Sequence, residues 1–400
     1  MQKKVSIGSL KTLPLHMVIL FAVVAVVYSG SIKNGFVYDD NSQILANPWV
    51  RDMRFLPDIL FSSIWAFIEK DYSGNYYRPV SNLAFMIEYH FFGPEPMGWH
   101  IVNIALHALN AAIVYFIARA MLKKLDKEAH RVVPLFAALV FAAHPVNSET
   151  VSWVSCVPEL VYVLFFLLAF LFYMRGYYYL SVFFFFLSVL SKETALALVV
   201  LFMFYDSLAG RLVSVLKSYK RYAPYLVVAL VYLVLRFYAL GGFYSGEKMH
   251  PYLTSRQYFI NIFPLLGDYV WALVFPLRHR PFPLFEPVFS VFEPRALVPL
   301  MFTAGLAASA LFFRKKIQPM YLFFIAVILL PLLPVFYIPA LSRNVFADRY
   351  LYLPSVGFSL LIAFFIPLLA RLSSYIAAGI LVLVTAIYST AAFNRNKAWQ

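Results

Sequence analysis

The sequence predicts an all-α membrane protein with many spanning helices, and three observations lead to that class. The chain is 62% hydrophobic and 13% charged, whereas soluble domains carry about 25% charged residues. Several runs of about 18 or more residues carry almost no charge, which is the length that a helix needs to cross a bilayer. The Lys and Arg residues behind the net charge of +14 lie in short clusters between these runs. Cations in that arrangement set membrane topology, so we reject a nucleic-acid-binding surface.

Hydropathy and the positive-inside rule predict one domain over residues 1–400, with about eleven spans, an inner N-terminus and an outer C-terminus. The first apolar run lacks a clean small-residue cleavage site, so we expect a retained helix rather than a signal peptide. In chain order the predicted spans are 13–31, 99–122, 132–143, 150–174, 177–190, 194–208, a run that ends near Leu240, 296–313, 320–338, 350–370 and 375–393.

Two long segments interrupt the spans. The first outer loop, 32–98, holds eight acidic residues against five Lys or Arg. Its apolar pieces 55–68 and 80–92 are too short to span and are expected to lie as helices in the interface. The second segment, 241–294, is a large outer or re-entrant region. We expect its apolar run 258–277 to be re-entrant or interfacial, because a full crossing would place the cations just after residue 313 outside.

An acidic pair, Asp39 and Asp40, follows the first span directly. Charges at a membrane edge are costly and therefore mark functional sites by default. The alternative is that both residues are solvated and cap the next helix.

Further polar residues all fall at predicted outer ends of spans. They are Arg78, His144, Glu149, Lys192, Glu193, Arg343, Asp348 and Arg349. Carboxylates can act as a general base or bind metal, and cations can hold a phosphate, so the set suits group transfer from a phospho-lipid. Structural alternatives stay open: Arg78 could snorkel to lipid headgroups, His144 could be a packing residue, and Lys192 with Glu193 could form a helix cap with an ion pair.

One helical face of the second span carries a polar stripe of His100, Asn103, His107 and Asn110. Such a stripe can line a cavity, but interhelical hydrogen bonding is the preferred explanation. The sequence holds no Walker loop, dinucleotide fingerprint, CxxC pair or HExxH motif, so a nucleotide-driven reaction is unsupported.

Several motifs together resemble the transmembrane and tetratricopeptide-repeat O-mannosyltransferases and their prokaryotic relatives, within the GT-C glycosyltransferases. Each motif is weak alone, but they occur in the family's order over most of the chain. They are Gly35–Asp40, Tyr77–Pro79, the polar stripe, Phe141–Glu149, Leu190–Glu193 and Ala347–Gly357.

This resemblance implies a GT-C-type bundle that transfers mannose or another hexose, with inversion, from a polyprenyl-phosphate-linked donor to an acceptor hydroxyl. The base would be Asp39 or Asp40, with Asp39 preferred and Asp40 supporting it. Any divalent metal, such as Mg²⁺ or Mn²⁺, would be bound by Asp40 or by the two carboxylates together. Donor-phosphate contacts would come from the matching cations Arg343 and Arg349, then Arg78 and Lys192. Supporting residues would be His144, Glu149, Glu193 and Asp348.

The chain departs from the family pattern at 156–159, which lacks the usual Gly-Arg-x-Asp element and with it an arginine. Tetratricopeptide repeats would begin just after 394–399, so we expect either no repeats or a shortened sequence. The acceptor is therefore open between protein, lipid and glycan. A prokaryotic plasma membrane is the expected location, with the endoplasmic reticulum second. The rival functions are a lipid or lipid-linked oligosaccharide transporter without chemistry, and a membrane scaffold.

Overall fold

A computed structural model of the chain shows that the predicted apolar runs are helices. It describes residues 12–68, 75–124, 132–208, 219–242, 250–276, 284–313, 318–341, 345–369 and 374–399. Within these ranges the α-helices are α1 (Leu13–Tyr28), α2 (Leu56–Phe61), α3 (Pro79–Phe92), α4 (Pro96–Lys124), α5 (Val133–Ala143), α6 (Asn147–Ser152), α7 (Val157–Arg175), α8 (Tyr178–Ser191), α9 (Ala197–Ser207), α10 (Tyr219–Leu240), α11 (Ser255–Val274), α12 (Pro294–Phe312), α13 (Pro319–Leu329), α14 (Tyr352–Leu369) and α15 (Ser374–Asn396). The described part of the chain has no β-strand, so the all-α class is confirmed.

Six helical segments of the described ranges are long and apolar enough to cross a membrane, which identifies an integral membrane protein. They are Leu13–Lys33, Pro96–Lys123, Val154–Arg175, Tyr219–Leu240, Pro319–Phe336 and Ala378–Trp399. Helices α5 and α8 are apolar but shorter. Each predicted span overlaps a helical segment, although not all of them run as single α-helices, and the total of about eleven crossings stays a prediction.

The centre of the bundle is formed by α4, α5, α7 and α14, which pack on one another in the order α7, α4, α5, α14. Helix α1 packs against α4 and α5, α15 packs against α5 and α1, and α8 covers α7. Helix α5 is buried along its whole length. Because the centre is so fully covered, the loops at the ends of these helices are held in fixed positions.

The fourth predicted span, 150–174, does not run as one helix. Helix α6 ends at Ser152, Trp153 is extended, and α7 begins at Val157 with a proline in its first turn. Proline lacks an N–H and clashes with the preceding turn inside a helix, but it fits the first turn of a new one. Pro158 therefore restarts the helix and leaves a sharp turn at 153–156.

Two other predicted helices are shorter than expected. The interfacial helix over 55–68 ends at Phe61, and Ser62 is extended. The span over 320–338 is α-helical only to Leu329 and continues as a 3₁₀-helix to Phe336. Prolines in that second stretch remove the backbone donors that an α-helix needs.

The predicted re-entrant run 258–277 is the helix α11. A capping box starts it, in which the Thr254 hydroxyl accepts from the Gln257 N–H and the Gln257 side chain accepts from the Thr254 N–H. The cap satisfies backbone donors that no helical carbonyl reaches.

Candidate active site

The acidic pair lies on a tight turn directly after α1. Tyr38 has a φ of 48°, a left-handed conformation that is uncommon for a bulky L-residue and costs about 1–3 kcal/mol. The Asp40 N–H closes the turn on the Val37 carbonyl at 3.0 Å. Strain of this kind persists only where surrounding contacts hold it, and it clusters at functional sites.

Asp40 is the anchor of this turn. Its side chain is fully buried. One carboxylate oxygen accepts from the Val37 N–H at 2.9 Å, and the other accepts from the N–H and the hydroxyl of Ser155, at 2.7 and 2.5 Å. Burial raises the pKa of Asp40 to about 6, although these hydrogen bonds oppose the shift. With both oxygens occupied, Asp40 ties the turn to the segment that precedes α7.

Asp39 differs from its neighbour. It is exposed to solvent, and among the described residues none donates a hydrogen bond to its carboxylate. Partial burial raises the pKa of Asp39, and the positive charge of Arg349 opposes this rise. A carboxylate that is accessible, uncommitted and adjacent to a cation can take a proton from a bound hydroxyl.

Arg349 stands on a short 3₁₀-helix before α14. Its Nη1 lies 2.5 Å from an oxygen of the buried Glu149. The guanidinium also lies 5.3 Å from the Trp153 ring and 5.1 Å from the Tyr350 ring. Burial works against the charge, but Glu149 and Tyr350 outweigh it and raise the pKa of Arg349. Arg349 therefore carries a fixed positive charge beside Asp39.

Lys192 forms a second ion pair next to the first. Its ammonium group bonds to the carboxylate of Glu159, and both side chains are 5% exposed. The Lys192 nitrogen lies 5.0 Å from the Tyr350 ring and 5.3 Å from the Tyr162 ring. Lys192 and Arg349 therefore both lie within about 5 Å of the Tyr350 ring.

Arg78 forms the third ion pair, in the two-bond geometry that suits a guanidinium and a carboxylate. Its Nε and Nη2 donate to the two oxygens of Glu193 at 3.1 and 2.7 Å, and the guanidinium lies 4.4 Å from the Tyr76 ring. Burial would raise the pKa of Glu193, but Arg78 dominates and lowers it to about 2.

The structure thus brings together the acidic pair and the three described cations with their carboxylate partners. Asp348 lies beside this cluster and pairs with Arg395 at 3.2 Å, and burial raises the pKa of Asp348 to about 7. Arg343 lies outside the described residues.

His144 has a structural environment instead. Its Nδ1 accepts from the Val146 N–H at 3.3 Å and its Nε2 donates to the Leu273 carbonyl at 3.0 Å. Burial lowers the pKa of His144 to about 3, so the ring is neutral. It therefore joins α5 to α11, which agrees with the packing role that the sequence left open for this residue.

The polar stripe of α4 makes interhelical hydrogen bonds, as predicted. Asn103 donates to the Val151 and Trp153 carbonyls at 3.3 and 3.1 Å. His107 contacts the Tyr352 hydroxyl at 2.8 Å, and Asn110 donates to the same hydroxyl at 3.1 Å. These bonds fix the segment around Trp153 against the central helices.

Sequence reasoning missed four residues of the cluster. Glu159 stands in the stretch 156–159 that departs from the family pattern, and Ser155 directly precedes it. No local feature marks the role of Tyr350, which lies within the matching stretch Ala347–Gly357, or of Trp399, which stacks on Trp153. The one available signal was Glu159, an acidic residue inside an apolar run, which normally requires a partner.

The comparisons with known proteins agree with the motif resemblance. No protein-family model matches the chain. It is 27% identical to protein O-mannosyl-transferase F38B6.6 of Caenorhabditis elegans over 367 residues, which cover 87% of this chain and 51% of the relative. The chain resembles the protein O-mannosyl-transferases.

Two further relatives are also named protein O-mannosyl-transferases. Protein O-mannosyl-transferase TMTC3 of Homo sapiens is 23% identical over 435 residues, covering 96% of this chain and 46% of the relative. Protein O-mannosyl-transferase Tmtc1 of Drosophila melanogaster is 33% identical over 189 residues, covering 45% of this chain and 21% of the relative. The chain spans about half the length, or less, of these O-mannosyl-transferases.

Proposed function

We propose that this chain is a membrane glycosyltransferase of GT-C type that moves a hexose from a polyprenyl-phosphate-linked donor to an acceptor hydroxyl. The observation that carries the proposal is the accessible carboxylate of Asp39, which feels the positive charge of Arg349, at the end of the bundle where Arg349, Lys192 and Arg78 are each held by a carboxylate. Mannose is the proposed sugar and a protein the proposed acceptor, because the relatives are named protein O-mannosyl-transferases.

The proposed step is a single displacement at the anomeric carbon. Asp39 takes the proton of the acceptor hydroxyl while the hydroxyl oxygen forms the new bond to that carbon. The bond from the carbon to the phosphate oxygen breaks on the opposite face, and the lipid phosphate leaves with the electron pair. A single displacement of this kind inverts the anomeric configuration.

The leaving phosphate carries negative charge, which fixed cations stabilise as it develops. Arg349 and Lys192 both lie near the Tyr350 ring, at 5.1 and 5.0 Å, and Arg78 is held by Glu193. Their carboxylate partners keep these cations in place before the donor arrives. A donor phosphate bound next to these three cations would share their positive charge with the carboxylates of Glu149, Glu159 and Glu193.

The predicted metal ligands fit a divalent cation poorly. Both oxygens of Asp40 already accept hydrogen bonds from protein donors. Within the described ranges there is no cluster of three His, Cys, Asp or Glu side chains that could hold a metal. We therefore assign the charge of the leaving group to the three cations and propose no metal-dependent step.

The active end would face the outer or luminal side of its membrane, since the cytoplasmic side is the one that Lys and Arg clusters mark. A prokaryotic plasma membrane and the endoplasmic reticulum are both compatible with this orientation. The rival function, lipid transport, favours polar groups near the bilayer midplane. Here the ion pairs lie with the loop residues at one end of the bundle, which supports the enzyme.

The test is transfer of labelled sugar by purified protein from a panel of polyprenyl-phosphate donors to a Ser/Thr peptide, a lipid and a glycan. Asp39→Asn should lower the rate by at least about 100-fold while the protein stays folded, because the general base is lost. Asp52→Asn is the matched control, since Asp52 lies in the same loop and its carboxylate bonds only to Arg54 among the described residues. Equal activity of both variants would refute Asp39 as the base, and lipid translocation without any transfer would favour the transporter.

A further inference from the structure

The end of α15 contacts the candidate active site from far along the chain. We call Arg395, Asn396 and Trp399 the anchor residues. Arg395, Asn396 and Trp399 are 7%, 3% and 2% exposed, although they stand at the end of a helix that is largely exposed on its outer faces. Buried polar groups at the end of such a helix require specific partners, and those partners lie beside the predicted catalytic residues.

Trp399 supports the turn that carries Asp39. It stacks on Trp153 with ring centres 5.6 Å apart and planes 16° apart. The exposed Tyr38 ring meets both indoles edge-on, at 6.2 Å from Trp153 and 6.4 Å from Trp399. These contacts hold the one described non-glycine residue with a positive φ, and Asp39 is the next residue in the chain.

Arg395 supports the segment that carries Arg349. Its Nη1 donates to the Pro145 carbonyl at 2.9 Å and to the Asp348 carboxylate at 3.2 Å. Asp348 directly precedes Arg349, whose own partner is Glu149. The position of Arg349 therefore depends on a residue that lies 47 positions from Asp348 in sequence.

Asn396 connects these two supports to the bundle. Its side-chain oxygen accepts from the Ser152 hydroxyl at 3.0 Å, and its side-chain nitrogen donates to the Val27 carbonyl at 2.8 Å. Val27 belongs to α1, which leads into the turn of Asp39, and Ser152 precedes Trp153. Asn396 thus holds both the end of α1 that leads into the turn and the residue that precedes Trp153.

We propose that the anchor residues are positioning residues for sugar transfer, which set the placement of the Asp39 carboxylate relative to the Arg349 guanidinium. The inference rests on the proposed function. In a displacement the base and the leaving-group cation act on opposite faces of one carbon, so their separation must be held closely. A misplacement of about 1 Å can cost about 100-fold in rate.

The experiment compares Trp399→Ala, Trp399→Phe and Lys397→Ala in the full chain. Lys397 is the matched control, because it stands in the same segment, is exposed, and contacts the ring of Phe393 at 5.7 Å. Trp399→Ala should lower kcat by at least about tenfold with the donor KM unchanged, because it moves the base and leaves the cations in place. Trp399→Phe should restore most of the rate, since a phenyl ring can still pack on Trp153. Lys397→Ala should match the wild type.

Hydrogen exchange supplies a second readout that needs no turnover. The amides of Asp40 and Asn41 close the turn on the Val37 and Tyr38 carbonyls at 3.0 and 3.2 Å. They should exchange faster in Trp399→Ala, because their protection depends on the closed turn. Amides at the centre of α5 should be unaffected.

Three outcomes would overturn the positioning role: unchanged kcat in Trp399→Ala, unchanged exchange at these two amides, or a loss of activity that Trp399→Phe fails to rescue. A wild-type protein that transfers no sugar would instead refute the proposed function. The two failures are distinguishable, because the first requires an active wild type.

Discussion

The ion pair of Lys192 and Glu159 gives the sharpest test of how the cations are held. Both side chains are 5% exposed, so neither charge can regain water if its partner is lost. Removing one member of a buried pair costs about 3–5 kcal/mol, because the other charge stays buried. Removing both charges together is often nearly neutral.

The structure sets where each single change falls in that range. In Glu159→Gln the ammonium group keeps the rings of Tyr162 and Tyr350 at 5.3 and 5.0 Å, which offset part of the loss. We therefore expect about 3 kcal/mol. In Lys192→Met the carboxylate is left alone, and one of its oxygens already lacks a described hydrogen-bond partner. We expect about 4 kcal/mol there.

The double variant should cost about 1 kcal/mol, so the two changes should be strongly coupled. The measurement is reversible unfolding of the four proteins in one detergent, analysed as a double-mutant cycle. If the two single losses of stability sum to that of the double variant within about 0.5 kcal/mol, Lys192 and Glu159 do not interact as the buried ion pair in the structure requires. The double variant also separates stability from function, because it stays folded but lacks the Lys192 cation. If Lys192 contacts the donor phosphate, this stable variant should have a raised KM for the donor.

Three further predictions follow from the turn of Asp39. Burial raises the pKa of Asp40 from its ordinary value of 3.8 to about 6 in the folded protein, so its contribution to stability falls as the pH rises between these two values. Asp40→Asn should flatten this dependence in unfolding measured at several pH values. Ser155→Ala removes one hydroxyl bond to Asp40 and should cost about 1–2 kcal/mol in the same assay. Ser207→Ala removes only a bond from the hydroxyl to a carbonyl of its own helix and should cost less. Sugar transfer should continue within about twofold in excess EDTA, because the charge of the leaving group is assigned to Arg and Lys; loss of activity that Mg²⁺ or Mn²⁺ restores would contradict that assignment.

Local patterns in the sequence predicted the class of the fold and the neighbourhood of the site. The hydropathy of a run depends only on the residues within it, so the sequence suffices to locate apolar helices, and each predicted span overlaps a helical segment. The polar stripe of α4 was also readable, because the helical period puts its members on one face. The positions of Asp39 and Asp40 just beyond the first span needed only the length of that span.

Roles within the site were decided by tertiary packing. The two carboxylates are adjacent and chemically identical, and only the contact between Asp40 and Ser155, 115 residues away, shows which one is an anchor. Arg349 and Glu149 pair across 200 positions. No local pattern encodes such partners, because they depend on how separate helices pack.

The sequence by itself therefore determined which side chains are costly to leave unpaired, since that cost follows from charge and an apolar setting. Only the tertiary structure decided which partner each of these side chains has. Pro158 illustrates the difference. Its ring disfavours a continuous helix from 150 to 174, but the resulting turn matters because it brings Ser155 to Asp40 and Trp153 to Trp399.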